Sequence, residues 1–411
     1  MSRIASRFAR VEPRRRIGLL VTGLLSDLPR KNCWTLAEHA GDATPHCTQH
    51  LLHRAKWDAD RVRDDIPAYV VQHLHDDAVL VVDETGGLGK GTSTVGVQRQ
   101  YTGTAGRVEN AQVGVCLVYS AARGHAAIDR ALYIPRSWTD DPDRCRSAGI
   151  PDGLAFATKP QSAAQMVERA LDAGTPARRV TGDEVHGDTP HLRAALEQRR
   201  TGHVLAVSST HVVTQAGRFQ ARALAARVPK RAWQRLSAGA GAKGERYYDW
   251  AQVDIQGTSG QPDLWSLMVR RNRRTGELAF HRCFSPHPVP MSELVRVAGR
   301  RWTVEETFQA STGLTCLDEH QFRRWTSWHR WVTLAMLAHA FPAVTAATER
   351  HDRPARDDLI PLTGNEIHHL FAALIGPVHG LAHRLRWSHW RRRHQARTRQ
   401  CHYWRQAALQ P

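Results

Sequence analysis

At 411 residues and 41% hydrophobic content, the chain can bury a sizeable core and hold more than one structural unit, which excludes a disordered or fibrous protein. With 57 Lys and Arg against 39 Asp and Glu, its formal charge is +18, and all but six of the cations are arginine, so composition favours a polyanionic partner, nucleic acid before acidic lipid. Seven scattered cysteines with no Cys-x-x-Cys pair argue against a disulfide framework or a zinc site and for the cytosol.

The N-terminus, Ser2 to Arg16, is arginine-rich without the apolar core of a signal peptide. Residues 1–70 have helical character. Ile17 to Leu28 is an apolar run, and Trp34 to His39 is followed by the break Gly41-Asp42 and a new start at Thr44-Pro45, an N-cap with proline at the first helical position. Two short helices joined by a tight turn result. The second, about His46 to Lys56, carries Gln49, His50, His53, Arg54 and Lys56, which suit a recognition helix in a major groove and equally suit the exposed face of an ordinary helical hairpin.

Ala78 to Lys90 is a run of small and branched apolar residues that reaches Asp83-Glu84 and then glycines, the pattern of a doubly buried strand ending at a carboxylate. Strand character returns at Gln112 to Ser120 and Ala127 to Pro135. A helix is expected at Ser162 to Ala173, with Gly174 as its stop. A short strand at Arg179 to Thr181 runs into Gly182-Asp183-Glu184, so a second acid sits at a strand end. A helix capped by Thr189-Pro190 runs to about Arg200, and a strand covers Val204 to Ser208. This order of elements, with acids ending the first and fourth strands, is the one by which an RNase H-like domain brings two carboxylates together.

Residues 211–285 interrupt the pattern with strand-like pieces at Tyr247 to Ile255, Leu264 to Arg271 and Glu277 to Phe284, the last two forming a hairpin. A helix from Ser292 through Thr312 then places Arg301, Glu305 and Thr312 on one face by spacings of four and seven. The most apolar later run, Val332 to Val344, is shorter than a bilayer span, so no membrane partner is expected. The tail, Arg384 to Arg405, interleaves Arg391, Arg392, Arg393 and Arg397 with Trp387, Trp390, Tyr403 and Trp404. That mixture suits phosphate contacts with stacking, or a helix whose tryptophans dock on the core. Three converging carboxylates, Asp83, Asp183 and Glu305, are what a hard divalent ion needs for phosphodiester chemistry, with Arg301 placed to meet a phosphate.

The runs Val81-Val82-Asp83-Glu84-Thr85-Gly86, Thr181-Gly182-Asp183-Glu184-Val185-His186-Gly187 and Arg301-Trp302-Thr303-Val304-Glu305-Glu306-Thr307-Phe308-Gln309 resemble the DDE transposases of bacterial insertion sequences, within them the insertion sequence seven-oh-one family. The resemblance implies an RNase H-like α/β catalytic core interrupted by a β-rich insertion, with helical N- and C-terminal DNA-binding regions. The corresponding boundaries are 1–70, 71–210, 211–285 for the insertion, 286–345 with the Glu helix, and 346–411. It also implies Asp83, Asp183 and Glu305 as catalytic metal ligands for Mg²⁺, with Mn²⁺ as a substitute. The substrates would be transposon terminal inverted repeats and target DNA, bound by a homodimer in a bacterial cytoplasm. Related transposases carry a Tyr-x2-Arg-x3-Glu-x6-Lys signature. Arg301 and Glu305 fall on it, whereas Ala298 replaces the tyrosine and Thr312 the lysine, which implies either an impaired, transposase-derived DNA-binding protein or compensation by Arg300 or Arg323. Trp250 in the insertion is a candidate to stack on an unpaired or flipped base, with a core tryptophan as the alternative.

Overall fold

The computed structural model describes residues 2–74, 77–89, 91–241, 244–257, 264–315, 317, 323–352, 361–377 and 379–409. Lys90, Cys316 and the side chains of Tyr403 and Arg405 lie outside the described residues.

Four helices open the chain: α1 (Val11–Leu24), α2 (Cys33–His39), α3 (His46–His53) and α4 (Ala59–Leu74). The start of α2 is fixed by a capping box, in which Asn32 accepts from the backbone of Trp34 and Thr35 while the Thr35 hydroxyl accepts from Asn32 N–H. The expected pair of short helices is present as α2 and α3. The second stops at His53, because buried Arg330 takes the carbonyls of Leu51, Ala55 and Trp57 that a longer helix would use internally.

The strands are β1 (Ala78–Leu88), β2 (Gln98–Thr102), β3 (Arg107–Ser120) and β4 (His125–Leu132). Short helices α5 (Arg136–Thr139) and α6 (Pro142–Ala148) follow, then α7 (Lys159–Asp172), β5 (Ala177–Gly182), α8 (Glu184–Gly187), α9 (Pro190–Gln198) and β6 (Gly202–Val207). Next come the small pair β7 (Val212–Thr214) and β8 (Arg218–Gln220), helix α10 (Ala221–Ala225), and β9 (Gln234–Gly241), β10 (Gly244–Ile255), β11 (Leu264–Arg271) and β12 (Leu278–Ser285). One mixed sheet runs β2-β3-β1-β5-β6-β12-β11-β10-β9, with β4 paired to β3. β1, β5 and β6 are parallel, and β3, β4 and β12 are antiparallel to their neighbours.

The expected hairpin of the insertion is β11–β12, and its strands continue the main sheet through the β12–β6 pair. Alternation along β11 divides its side chains. Met268 joins the main core, while Trp265, Leu267 and Val269 pack with Phe280, Phe284 and Leu224 in a second, smaller one. Helix α4 lies in the region expected to be helical, whereas strands β2 and β9 have no counterpart in the sequence reading. β2 and β9 are half-exposed strands that lack a continuous apolar signal.

Three expectations need correction. β1 does not end at Asp83 but continues to Leu88, because β3 pairs with it as far as Ala111 after the parallel neighbour β5 has stopped. Gly86 keeps the strand going, since a Cβ there would lie 2.0 Å from the Thr102 hydroxyl. The helix expected from Ser292 to Thr312 is two helices, α11 (Met291–Arg300) and α12 (Trp302–Thr315), joined at Arg301. Finally, Val332 to Val344 belongs to the 28-residue α13 (Trp325–Asp352), which is long and apolar enough to cross a membrane. Most of its apolar stretch is instead buried inside the protein, packed on α4, β4 and α12. Helices α14 (Gly364–Ile375) and α15 (Leu381–Leu409) close the chain.

Candidate active site

The parallel pairing of β1 with β5 places Val82 opposite Gly182, so the next residue on each chain is an aspartate. Close packing requires glycine at 182, where a Cβ would lie 2.7 Å from the Val82 side chain. Asp83 then sits where its neighbouring strand has left the sheet, and Asp183 turns into α8 as its N-cap. The first turn of α12 brings Glu305 to the same place. Arg301, at the α11–α12 junction, lies between them, with Nη2 3.5 Å from Asp83 Oδ2 and Nη1 3.2 Å from Glu305 Oε1.

Each aspartate has one oxygen committed to the protein. Asp83 Oδ1 accepts the Glu84 N–H at 2.7 Å. Asp183 Oδ1 accepts the His186 N–H at 3.3 Å and lies 2.7 Å from His186 Nδ1. Burial, then the charge of Asp183, pushes the Asp83 carboxyl up to about 6, against the opposing pull of Arg301. Burial also pushes Asp183 upward, but the His186 hydrogen bond and the charges of His186 and Arg301 prevail and hold it below the ordinary carboxylate range. One acid of the pair is thus hard to ionise beside one that is easy to ionise. A neutral His281 lies close to Arg301, pushed down to about 3 by burial and by the Arg270 and Arg301 charges.

Among the described residues, no three acid, histidine or cysteine side chains form a group that could hold a metal ion. The donor chemistry nevertheless fits a hard divalent cation. Asp83 and Asp183 follow paired positions on adjacent strands, and the Arg301 guanidinium links Asp83 to Glu305 of α12. Glu305 would have to leave Arg301 to join the aspartates around an ion.

Thr312 is exposed near the far end of α12 and lines a small cleft with Thr85, Gly86 and Gly87 of β1, so it faces the glycines beyond Asp83. Arg300 Nη1 donates to the Ala121 carbonyl at 2.7 Å. Arg323 is exposed. Trp250 must be corrected as a base-stacking candidate: it is 1% exposed, in ring contact with Tyr248 and His281, and part of the main core. Alternation on β10 turns it inward.

Outside the acidic cluster, Gln49, His53, Arg54 and Lys56 are exposed on and just after α3, whose Thr48, Leu51 and Leu52 face the core. On α15, Arg392, Arg393 and Arg397 are exposed, whereas Arg391 pairs with Glu38 of α2. Two of the three tail tryptophans serve docking, whereas Trp404 is exposed. Trp387 is fully buried and donates to the Asp42 carbonyl, and Trp390 meets Trp34 edge-on at 4.6 Å. His186 and Lys159, which pairs with Glu84 at 2.7 Å, received no role from sequence. A histidine three residues after an acid in a glycine-flanked turn was the available signal for the first.

A family model described as DDE superfamily endonuclease matches residues 4–271, a segment that holds both aspartates and stops short of Glu305. A probable transposase for insertion sequence element IS701 from Microchaete diplosiphon is 28% identical over 197 residues, covering 47% of this chain and 49% of the relative, so the match spans about half the relative's length. A piggyBac transposase from a synaptic complex with hairpin DNA aligns over 91% of this chain and 78% of its own, at 10% identity and a TM-score of 0.40.

Proposed function

From the premise that this chain belongs to the DDE superfamily endonucleases, we propose that it is an insertion-sequence transposase that cuts DNA at element ends and joins the freed 3′ ends to a target. The observation that carries this reading is the β1–β5 register, which sets Asp83 beside Asp183, with Glu305 and Arg301 against them. In this reading 71–210 and 286–345 form an RNase H-like core, 211–285 is its insertion, and 1–70 and 346–411 hold DNA. Asp83, Asp183 and Glu305 would hold Mg²⁺, or Mn²⁺ in its place, in a homodimer working in the cytoplasm of a bacterium. The ion, when bound, would activate the attacking oxygen and stabilise the leaving one.

The chain's own residues do the remaining work. Asp83 and Asp183 are oriented by their committed oxygens, and Arg301, once released from Glu305, would offer its fork of N–H donors to the phosphate. Exposed arginines of α15 and the exposed face of α3 hold the DNA backbone.

DNA flanking the gene, carrying any inverted terminal repeats, should be cut in Mg²⁺ and joined to a target plasmid. Asp83→Asn, Asp183→Asn and Glu305→Gln should each lower the rate by at least about 100-fold. Undiminished cutting by all three variants overturns the reading. Cutting without joining would instead indicate a nuclease. Thr312, a small neutral side chain at the signature lysine position, supports a second reading, a transposase-derived DNA-binding protein with impaired catalysis. Salt-sensitive specific binding without cutting, with cutting recovered in Thr312→Lys, would identify it.

A further inference from the structure

We propose that His186 is the positioning residue for Asp183: it fixes one oxygen of this carboxylate so that the other is presented to a divalent cation. The inference rests on the proposed metal-dependent reading of the site. His186 is fully buried, and the geometry around it is specific. Its backbone N–H and its ring Nδ1 converge on the same atom, Asp183 Oδ1, at 3.3 and 2.7 Å. An ionised carboxylate can only accept, so Nδ1 carries the hydrogen.

The other ring nitrogen, Nε2, is buried with no hydrogen-bond partner. The backbone turn that carries the ring is closely packed. Gly182 brings β5 against β1, and a Cβ at Gly182 would stand 3.4 Å from His186 Cβ. Gly187, the next residue, packs so closely on β6 that a Cβ would fall 1.8 Å from the Ala206 carbonyl oxygen. The turn that carries the imidazole is therefore clamped between two strands, and the imidazole in turn holds the aspartate.

Asp83 achieves the same division with backbone alone, through the Glu84 N–H on Oδ1. Asp183 lies beyond the end of β5, where no strand constrains its side chain, and a bulky ring does the corresponding work. Partners of this kind, bonded to a metal-ligating carboxylate, commonly contribute 10–100-fold (order of magnitude) to metal affinity.

The test is Mn²⁺ binding to the full chain, measured by electron paramagnetic resonance, alongside the Mg²⁺ dependence of DNA cutting. His186→Phe keeps the ring volume and deletes the donor, and His186→Asn keeps an N–H near the Nδ1 position. The expected result is Mn²⁺ affinity about 10-fold weaker or more in His186→Phe, with cutting largely recovered at saturating Mg²⁺, and affinity within about threefold of the parent in His186→Asn. Unchanged affinity in His186→Phe overturns the inference alone. Equal weakening in both variants, each still folded by circular dichroism, overturns it too, because the donor would then be irrelevant. If the parent chain binds no Mn²⁺ and Asp83→Asn makes no difference, the metal-dependent reading fails and takes this inference with it.

Discussion

Two buried charge clusters lie on this sheet, one balanced and one not. Around β4, Asp129 receives Arg169 at 2.8 Å, Arg63 at 3.5 Å and the Arg130 N–H at 2.8 Å, while buried Arg130 reaches Asp60 at 2.8 Å and the Thr333 hydroxyl at 3.0 Å. Burial pushes Asp60 upward, yet Arg130 and Arg63 outweigh it and hold Asp60 below its ordinary value. At the β1–β5 edge, two aspartates share one half-buried arginine with Glu305, and one of them is pushed up to about 6. The first cluster joins α4, β4, α7 and α13 and matches its acids with arginines. The second has an excess of negative charge that only a proton or a cation can relieve, which marks it as the place for chemistry.

The largest expected effect comes from breaking the balanced cluster. Asp129→Ala leaves the Arg130 N–H without its acceptor and takes a carboxylate from Arg63 and Arg169, while the Arg130 side chain keeps Asp60 and Thr333, and should lower stability by about 2–4 kcal/mol in urea unfolding. A loss below about 1 kcal/mol would show that the network is ornamental.

The unbalanced site should respond in the opposite direction. Because the folded pKa of Asp83 lies above its unfolded value of 3.8, the folded protein holds more protons between about pH 4 and 6, and metal-free stability falls as pH rises through that window. Asp83→Asn should remove this fall and raise neutral-pH, metal-free stability by on the order of 2 kcal/mol, measured as unfolding free energy against pH. A destabilised Asp83→Asn at pH 7.5 would mean that Arg301 already balances the site.

Smaller effects would separate docking from the proposed DNA contacts along α15. Arg392→Ala and Arg393→Ala should each lower the salt slope of DNA binding by about one and leave unfolding unchanged. Arg391→Ala, which loses the pair with Glu38, should cost less than about 1 kcal/mol of stability. If all three variants weaken DNA binding equally, docking and binding are not divided along this helix.

Asp83, Asp183 and Glu305 were legible because each has a local signature: a buried apolar run ending in an acid, a short strand turning into a capped helix, and an arginine four residues before a glutamate. Trp250 was ambiguous because only its neighbours decide which face of a strand is covered. His186 went unassigned because its partner is specified by atom, not by residue type. The tail tryptophans offered two readings, and Trp387 on the Asp42 carbonyl and Trp390 against Trp34 place these two rings in docking.

By itself, the sequence determined which acids follow the two apolar strands, most of the strands of the main sheet and the basic character of the termini, since alternation, caps and charge act over a few residues. Only the tertiary structure decided that β1 runs past Asp83, that Val82 meets Gly182, that Arg301 stands between Asp83 and Glu305, and that Trp250 is enclosed. Those outcomes depend on strand register and packing between segments 100 or more residues apart in several cases, and no local pattern encodes which distant atoms will meet.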